Sequence, residues 1–169
     1  MSYTHILAPT DFSPLANHAL AYAFQEAEIH NAKLTLLHAL HHHPDTEVYY
    51  LKDQSTEPRG FASEFGDLSL SSGSTPTTIR RDYIEEALLQ LRELVPHAFT
   101  GAWETEVASG APAEAIVRLA QERHVDLIVM STHGRTGLSH VLLGSVAERV
   151  VREAPCPVLI IRYRPDAAS

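Results

Sequence analysis

The sequence predicts an α/β fold built on an open five-stranded parallel sheet with helices on both faces. Short apolar runs alternate with helical patterns along the chain, which is typical of strand–helix–strand crossover units. The runs at 127–130 and 158–161 are apolar without alternation, as expected of strands covered on both faces. The length of 169 residues and the hydrophobic content of 44% suit one packed domain of this kind.

Five apolar runs are the predicted strands. They cover residues 3–8, 34–38, 103–108, 127–130 and 158–161. In a parallel sheet of this type, ligands bind beyond the carboxyl ends of the strands. A site is therefore expected in the loops that follow Ala8, His38, Ala108 and Met130.

Four amphipathic stripes predict the helices, because their apolar residues recur three and four positions apart. Ser13 and Pro14 start the first helix, since the hydroxyl can cap it and a proline needs no N–H partner there. Pro112 opens the third. The stripes are Ala16, Ala19, Leu20, Ala23, Phe24 and Ala27; Ile84, Ala87, Leu88, Leu91 and Leu94; Ala113, Ile116, Val117 and Ala120; and Leu143, Val146, Ala147 and Val150.

A polar insertion at about 41–77 interrupts this alternation. It is rich in Ser, Thr, Gly and Pro, and a connection this long is typical of a functional lid or a disordered insertion. Residues 47–51 have a short helical or strand-like pattern, and no fixed structure is predicted for the middle. We expect residues 1–169 to form one domain that carries this insertion.

The acidic composition argues against several partner classes. Lys and Arg number 13 against 21 Asp and Glu, a net charge of -8, so neither nucleic acid nor an anionic membrane is an expected partner. No segment approaches the ~18–20 apolar residues of a membrane span, and the chain starts without a leader pattern, which predicts a cytoplasmic location. The single cysteine, Cys156, is expected to be a small core residue rather than a redox group.

The segment from 130 to 148 carries the clearest pattern for ligand chemistry. It follows a predicted buried strand and ends in a helix, and Gly134 and Gly137 allow close backbone approach. Backbone N–H groups at a helix entry, with the helix dipole behind them, favour phosphate oxygens. His133, Arg135 and Ser145 can add donors, so this segment is a candidate phosphate site.

Ordinary structural roles explain part of the same pattern. Ser145 and Glu148 match a capping box, which accounts for both residues without a ligand. His133 can equally be a loop histidine bonded to backbone, and Asp11 can cap the first helix. From the local pattern alone these alternatives stay open.

Several nucleotide and hydrolase motifs are missing from the sequence. The first strand runs into residues 8–13, Ala-Pro-Thr-Asp-Phe-Ser, without a glycine, so the dinucleotide fingerprint is absent. No Gly-x4-Gly-Lys-Ser/Thr occurs, which excludes a P-loop NTPase, and no Gly-x-Ser-x-Gly elbow marks a serine hydrolase.

Three segments together resemble the universal stress protein family. They are Pro-Thr-Asp-Phe-Ser at 9–13, Gly-Ala-Pro at 110–112 and the loop 131–145, and the resemblance covers the chain apart from the insertion. The family's ATP-binding pattern, Gly-x2-Gly-x9-Gly-Ser, reads here Ser131-x2-Gly134-x9-Gly144-Ser145, with serine in place of the first glycine. The resemblance implies a Rossmann-like fold of the adenine nucleotide alpha hydrolase-like type.

The resemblance also implies a site for ATP, with or without Mg²⁺, and for AMP or ADP as alternatives. Asp11 would accept hydrogen bonds from the ribose or adenine end, and Met130 would pack on the base. Backbone at Ala39 would meet the adenine edge. The implied nucleotide-binding residues are Pro9, Thr10, Asp11, Ala39, Met130, Ser131, His133, Gly134, Arg135, Gly144, Ser145 and Val146.

A histidine cluster is the second candidate site. His38, His41, His42 and His43 lie where the second strand is predicted to end, and imidazole is a good ligand for Zn²⁺, Ni²⁺ or Cu²⁺. Tandem histidines point in divergent directions and no cysteine joins them. We therefore predict no specific metal site.

The function that these observations favour is ATP-dependent regulation in a stress response, through nucleotide-dependent conformation and partner contact, without a catalytic residue. We expect a homodimer, because the last predicted strand, 157–163, would otherwise be an exposed apolar edge, and the family commonly pairs such strands. One alternative is a slow ATPase or nucleotide hydrolase that uses His133 or Asp11. The other is a dimeric interaction module that works without nucleotide.

Overall fold

The computed structural model describes residues 2–40, 51–53, 76–132 and 143–162. Six strands and four helices lie within these ranges. In chain order they are β1 (His5–Pro9), α1 (Pro14–His30), β2 (Lys33–Leu40), β3 (Leu51–Asp53), α2 (Pro76–Glu93), β4 (Trp103–Ser109), α3 (Pro112–Glu122), β5 (Leu127–Ser131), α4 (Ser145–Glu153) and β6 (Val158–Ile161).

The strands form one sheet in the order β3-β4-β2-β1-β5-β6. Every pairing is parallel except that of β3, which runs antiparallel to β4 at the edge. The predicted sheet of five parallel strands is thereby confirmed. The additional strand is β3, which lies inside the predicted insertion. Its three residues pair with Thr105–Val107 of β4.

Two hydrophobic cores cover the two faces of the sheet. The first joins α1 and α2 to the sheet, with Leu20 and Phe24 of α1 and Leu91 of α2 among its buried residues. The second joins α3 and α4 to the other face, with Ile116 and Val150 among its buried residues. Strands with both faces covered need continuous apolar runs, which is why the runs at β5 and β6 do not alternate.

The predicted helix starts are confirmed at α1 and α3. Ser13 caps α1 by accepting the N–H of Ala16 on its hydroxyl at 3.2 Å, and Pro14 follows it. α3 begins at Pro112 after an extended Ala111. Asn31 ends α1 in the left-handed conformation, which asparagine tolerates better than most residues.

The connections between strands reverse direction beside β1. The chain moves from β1 to β2 and then β4 on one side, and it returns through α3 to β5 on the other side. A ligand crevice is expected at such a reversal, outside the carboxyl ends of the two central strands. The loop after β1 and the segment after β5 therefore border the same crevice.

Asp126 fastens the opposite, amino-terminal end of the sheet. Its Oδ2 accepts hydrogen bonds from the Thr4 hydroxyl at 2.6 Å, the Thr4 N–H at 2.7 Å and the His5 N–H at 3.0 Å. The Thr4 hydroxyl and amide, followed in a smaller degree by the His5 amide, hold the pKa of Asp126 below its ordinary value. The carboxylate thus ties the start of β1 to the start of β5.

We expect Asp126→Asn to lower the free energy of unfolding by about 1 kcal/mol at pH 7, because a neutral amide oxygen accepts these bonds more weakly. A carboxyl group with a lowered folded pKa contributes stability above its unfolded pKa of about 3.9, and this contribution is lost as the pH falls through the folded pKa. The difference between the two proteins should therefore shrink in urea titrations between pH 5 and pH 2. A constant difference over this range would contradict the prediction.

Candidate functional site

A cavity of about 670 Å³ opens at the carboxyl edge of the sheet. All described members of the predicted nucleotide-binding set line it: Pro9, Thr10, Asp11, Ala39, Met130, Ser131, Gly144, Ser145 and Val146. The remaining three, His133, Gly134 and Arg135, lie outside the described residues. The volume falls within the range of about 300–1,000 Å³ that is usual for small-molecule sites.

The loop between β1 and α1 places Asp11 at this cavity. Its Oδ1 accepts the N–H of Ser13 at 3.0 Å, while Ser13 itself caps α1. The alternative in which Asp11 caps the helix is therefore wrong. The carboxylate instead stabilises the turn that precedes the helix, and the residue lines the cavity.

The end of β5 explains how a serine can stand at the first position of the glycine pattern. Ser131 is the last residue of β5, and its backbone does not have the positive φ that would favour glycine. Met130 before it is buried in the core shared by α3 and α4. The strand tip thus requires no glycine for its own conformation.

The start of α4 presents backbone donors to the same cavity. The cap residue is Gly144, at φ -70° and ψ 154°, and no side chain caps the helix, so the capping-box interpretation of Ser145 is wrong. Ser145 is the first helical residue, exposed and lining the cavity. The amides of the first turn have no acceptor inside the helix, and the positive end of the dipole lies there. This end of α4 can therefore attract an anion.

Several lining residues were not among the predicted nucleotide-binding residues. They are Phe12, Ala16, His38, Leu40, Tyr83, Glu86, Ala87, Gln90, Pro112, Ile116, Thr132 and Ala147. Pro112 belongs to a segment of the family resemblance, and His38 is the last residue of the apolar run 34–38, so both carried a sequence signal. Glu86 and Tyr83 are exposed residues of α2, and only the packing of α2 against the sheet places them at the cavity.

The structure describes one residue of the predicted histidine cluster, His38. His38 is buried, and its Nδ1 lies 2.9 Å from the carbonyl oxygen of Thr10. His41, His42 and His43 lie outside the described residues. Among the residues that the structure does describe, no group of three His, Cys, Asp or Glu side chains is placed to hold a metal ion.

Cys156 packs beside the core of α3 and α4, half-buried. Burial is the largest cause that raises the pKa of its thiol, and the charge of Asp126 adds to it. A thiol with a raised pKa is a poor nucleophile, which favours the structural role predicted for it.

As to membranes, none of the helices within the described ranges has the length and apolar character needed to cross one.

Comparisons with known proteins give a consistent result. The model of the universal stress protein family matches residues 2–162. The universal stress protein MJ0531 of Methanocaldococcus jannaschii is 32% identical over 164 residues, which cover 95% of this chain and 82% of that protein. The solved structure of MJ0577 from the same organism superimposes with a TM-score of 0.71 at 26% identity and covers 98% of this chain and 100% of its own. A universal stress protein solved in complex with cAMP superimposes with a TM-score of 0.65 at 24% identity, over 95% of this chain and 98% of its own.

Proposed function

Since the chain belongs to the universal stress protein family, we propose that it is an ATP-binding stress-response protein that acts through nucleotide-dependent conformation and contact with a partner. The observation that supports this most strongly is the cavity at the carboxyl edge, which every described residue of the predicted nucleotide-binding set lines. A relative of the same fold is described in complex with cAMP, an adenine nucleotide. The cytoplasmic location and the lack of nucleic-acid and membrane partners stay predictions from the sequence.

Electrostatics determines the proposed orientation of the nucleotide in the cavity. The amides at the start of α4 attract phosphates, and the hydroxyl of Ser145 can donate to them. The carboxylate of Asp11 would repel a phosphate, so the sugar end lies on its side. The base then packs on Met130, near the backbone of Ala39.

The remaining members of the set complete the proposed site. Pro9 and Thr10 form the wall beside the sugar, and Ser131 lies next to the ribose at the tip of β5. Val146 contributes a backbone donor from the first turn of α4. His133, Gly134 and Arg135 would contact the phosphates from the loop that precedes this helix.

Two measurements test the proposal. Mass spectrometry of the supernatant after denaturation should identify an adenine nucleotide carried by the purified protein. ATP at about one hundred times its Kd stabilises the native state by about 2.7 kcal/mol, which should raise Tm by roughly 5–10 °C for a chain of this length. ADP, AMP and Mg²⁺ are compared in the same assay. No nucleotide and no Tm shift with any of them would leave the nucleotide-independent module as the better interpretation.

Slow hydrolysis of ATP is the enzymatic alternative. Of its two candidate residues, His133 and Asp11, only Asp11 lies within the described residues. The Ser13 amide already bonds Asp11 Oδ1 at 3.0 Å, which does not favour a general base. Turnover of ATP with Mg²⁺ should stay far below the ~1 s⁻¹ typical of slow enzymes. Sustained turnover at that rate would make the protein an enzyme.

We also propose a homodimer formed through β6. This strand lies at the edge of the sheet, and Val158, Leu159 and Ile160 are half-buried on it. An unpaired edge exposes a row of backbone donors and acceptors, which antiparallel pairing with a second copy would satisfy. Light scattering should give twice the chain mass of 18.6 kDa, and a monomer at micromolar concentration would contradict the proposal.

Ser131→Gly should keep or improve the affinity for ATP. The backbone of Ser131 does not need glycine, and removal of its side chain leaves more room beside the ribose. Calorimetry of the two proteins is the measurement. A loss of about tenfold or more would mean that the serine hydroxyl itself contacts the nucleotide, since one hydrogen bond contributes roughly that much.

A further inference from the structure

Both backbone polar groups of Thr10, its N–H and its carbonyl oxygen, are hydrogen-bonded to residues near the end of β2. The N–H of Thr10 donates to the carbonyl oxygen of Leu37 at 2.8 Å. The Nδ1 of His38 lies 2.9 Å from the carbonyl oxygen of Thr10. Because a carbonyl oxygen only accepts, Nδ1 carries the hydrogen of this bond. Two consecutive residues of β2 thus fix the point where the chain leaves β1.

Phe12 is held in a conformation that bulky residues rarely adopt. Its φ is +64°, in the left-handed region. Its ring packs on the imidazole of His38, with ring centres 4.3 Å apart and planes tilted by 33°. Its N–H donates to the Thr10 hydroxyl at 3.0 Å, and this hydroxyl donates to Asn17 at 3.2 Å. Such a backbone persists where its surroundings determine it.

Asp11 stands between Thr10 and Phe12, both of which contact His38. The position of the Asp11 side chain therefore depends on both neighbours, while His38 itself borders the cavity with an exposed fraction of only 8%. We propose that His38 is a positioning residue for the nucleotide site, which aims Asp11 into the cavity by its hydrogen bond to Thr10 and its contact with Phe12. This inference rests on the proposed function. It assigns to His38 a role other than the metal ligation that the histidine cluster suggested.

Two substitutions separate the hydrogen bond from the ring. His38→Phe keeps a ring against Phe12 and loses the donor to Thr10. His38→Asn loses the ring and places an amide donor near the position of Nδ1. His5→Phe is the matched control, because His5 is another hydrogen-bonded histidine of the sheet and contacts Thr35 at the amino-terminal edge, away from the cavity.

Amide hydrogen exchange of Phe12 and Ser13 measures the order of the loop without any ligand. In His38→Phe both amides should exchange about tenfold faster or more, and the Kd for ATP should rise by a similar factor, as expected for the loss of one buried hydrogen bond. His38→Asn should recover at least half of each effect on a logarithmic scale. His5→Phe should leave both quantities within about twofold of the wild type.

Unchanged exchange of Phe12 and Ser13 in His38→Phe would overturn the proposal, and so would equal losses in the Phe and Asn variants. If His38→Phe does not fold, His38→Ala takes its place, because it lacks both the donor and the ring. His38→Asn should then still retain the slower exchange and the lower Kd of the two variants, since it restores the donor to Thr10, and equal losses in the Ala and Asn variants contradict the proposal. If the wild-type protein binds no adenine nucleotide, the proposed function fails, while the exchange measurements still report on the loop.

Discussion

Gly144→Val is expected to weaken ATP binding about a hundredfold or more, a loss of about 2.7 kcal/mol in binding free energy. Gly144 is the cap residue of α4 and lines the cavity, immediately before the amides that the proposed phosphates would contact. A branched side chain there occupies the space that phosphate oxygens need. The backbone at φ -70° and ψ 154° accepts valine, so the fold should remain.

The matched control for this variant is Ala111→Val. Ala111 is the cap residue of α3, also extended at φ -65° and ψ 125°, also without a side-chain cap bond, and exposed. Both variants should lose at most about 1 kcal/mol of stability in urea unfolding, the usual scale of a cap effect. Calorimetry should show ATP binding unchanged in Ala111→Val. Equal affinities in the two variants would place the phosphate site elsewhere than at α4.

The sheet could be predicted because its signal is local to each strand. The run predicted at 158–161 coincides with β6, and the run at 34–38 falls short of β2 by one residue at its start and two at its end. The extra residues at the carboxyl end pair with β4 up to Ser109, a contact distant in sequence. The strand β3 depends on the same neighbour, and its polar sequence gave only a weak signal at 47–51.

The position of the cavity could also be predicted, since parallel strands bring their carboxyl ends to one edge. This geometry selected the loops after Ala8 and Met130, and the family resemblance then implied Asp11 and Ser131 as site residues within them. The wall that α2 contributes was not predicted, because Tyr83 and Glu86 stand on a helical surface that looks like an ordinary solvated face. Whether Ser145 capped its helix could be decided only from the geometry of α4.

Buried carboxylates inside β4 were another feature that the sequence did not reveal. Glu104 and Glu106 are 1% and 0% exposed. Lys33 Nζ lies 2.8 Å from Glu104 Oε2, and Arg123 Nη2 lies 3.6 Å from Glu106 Oε1. Each carboxylate is thus paired with a cation from another element, which is what permits its burial. A sequence read strand by strand cannot show such pairs.

The pair of Lys33 and Glu104 yields the second large effect. Lys33→Met should lower the free energy of unfolding by about 2–3 kcal/mol, near the lower end for a buried ion pair broken at one side, because the Lys33 side chain is 38% exposed. The Glu104 carboxylate then keeps its bond from the Thr35 hydroxyl at 2.9 Å and loses the ammonium charge beside it. Urea unfolding at pH 7 is the measurement.

A double-mutant cycle shows whether the buried charge causes this loss. Glu104→Gln alone should cost about 1 kcal/mol, because Lys33 is exposed enough to be solvated and the amide oxygen can still accept from Thr35. The double variant Lys33→Met with Glu104→Gln should recover at least half of the loss seen in Lys33→Met, since no charge then remains on either side chain. If the losses of the two single variants simply add, the pair contributes nothing, and the burial of Glu104 depends on its other contacts.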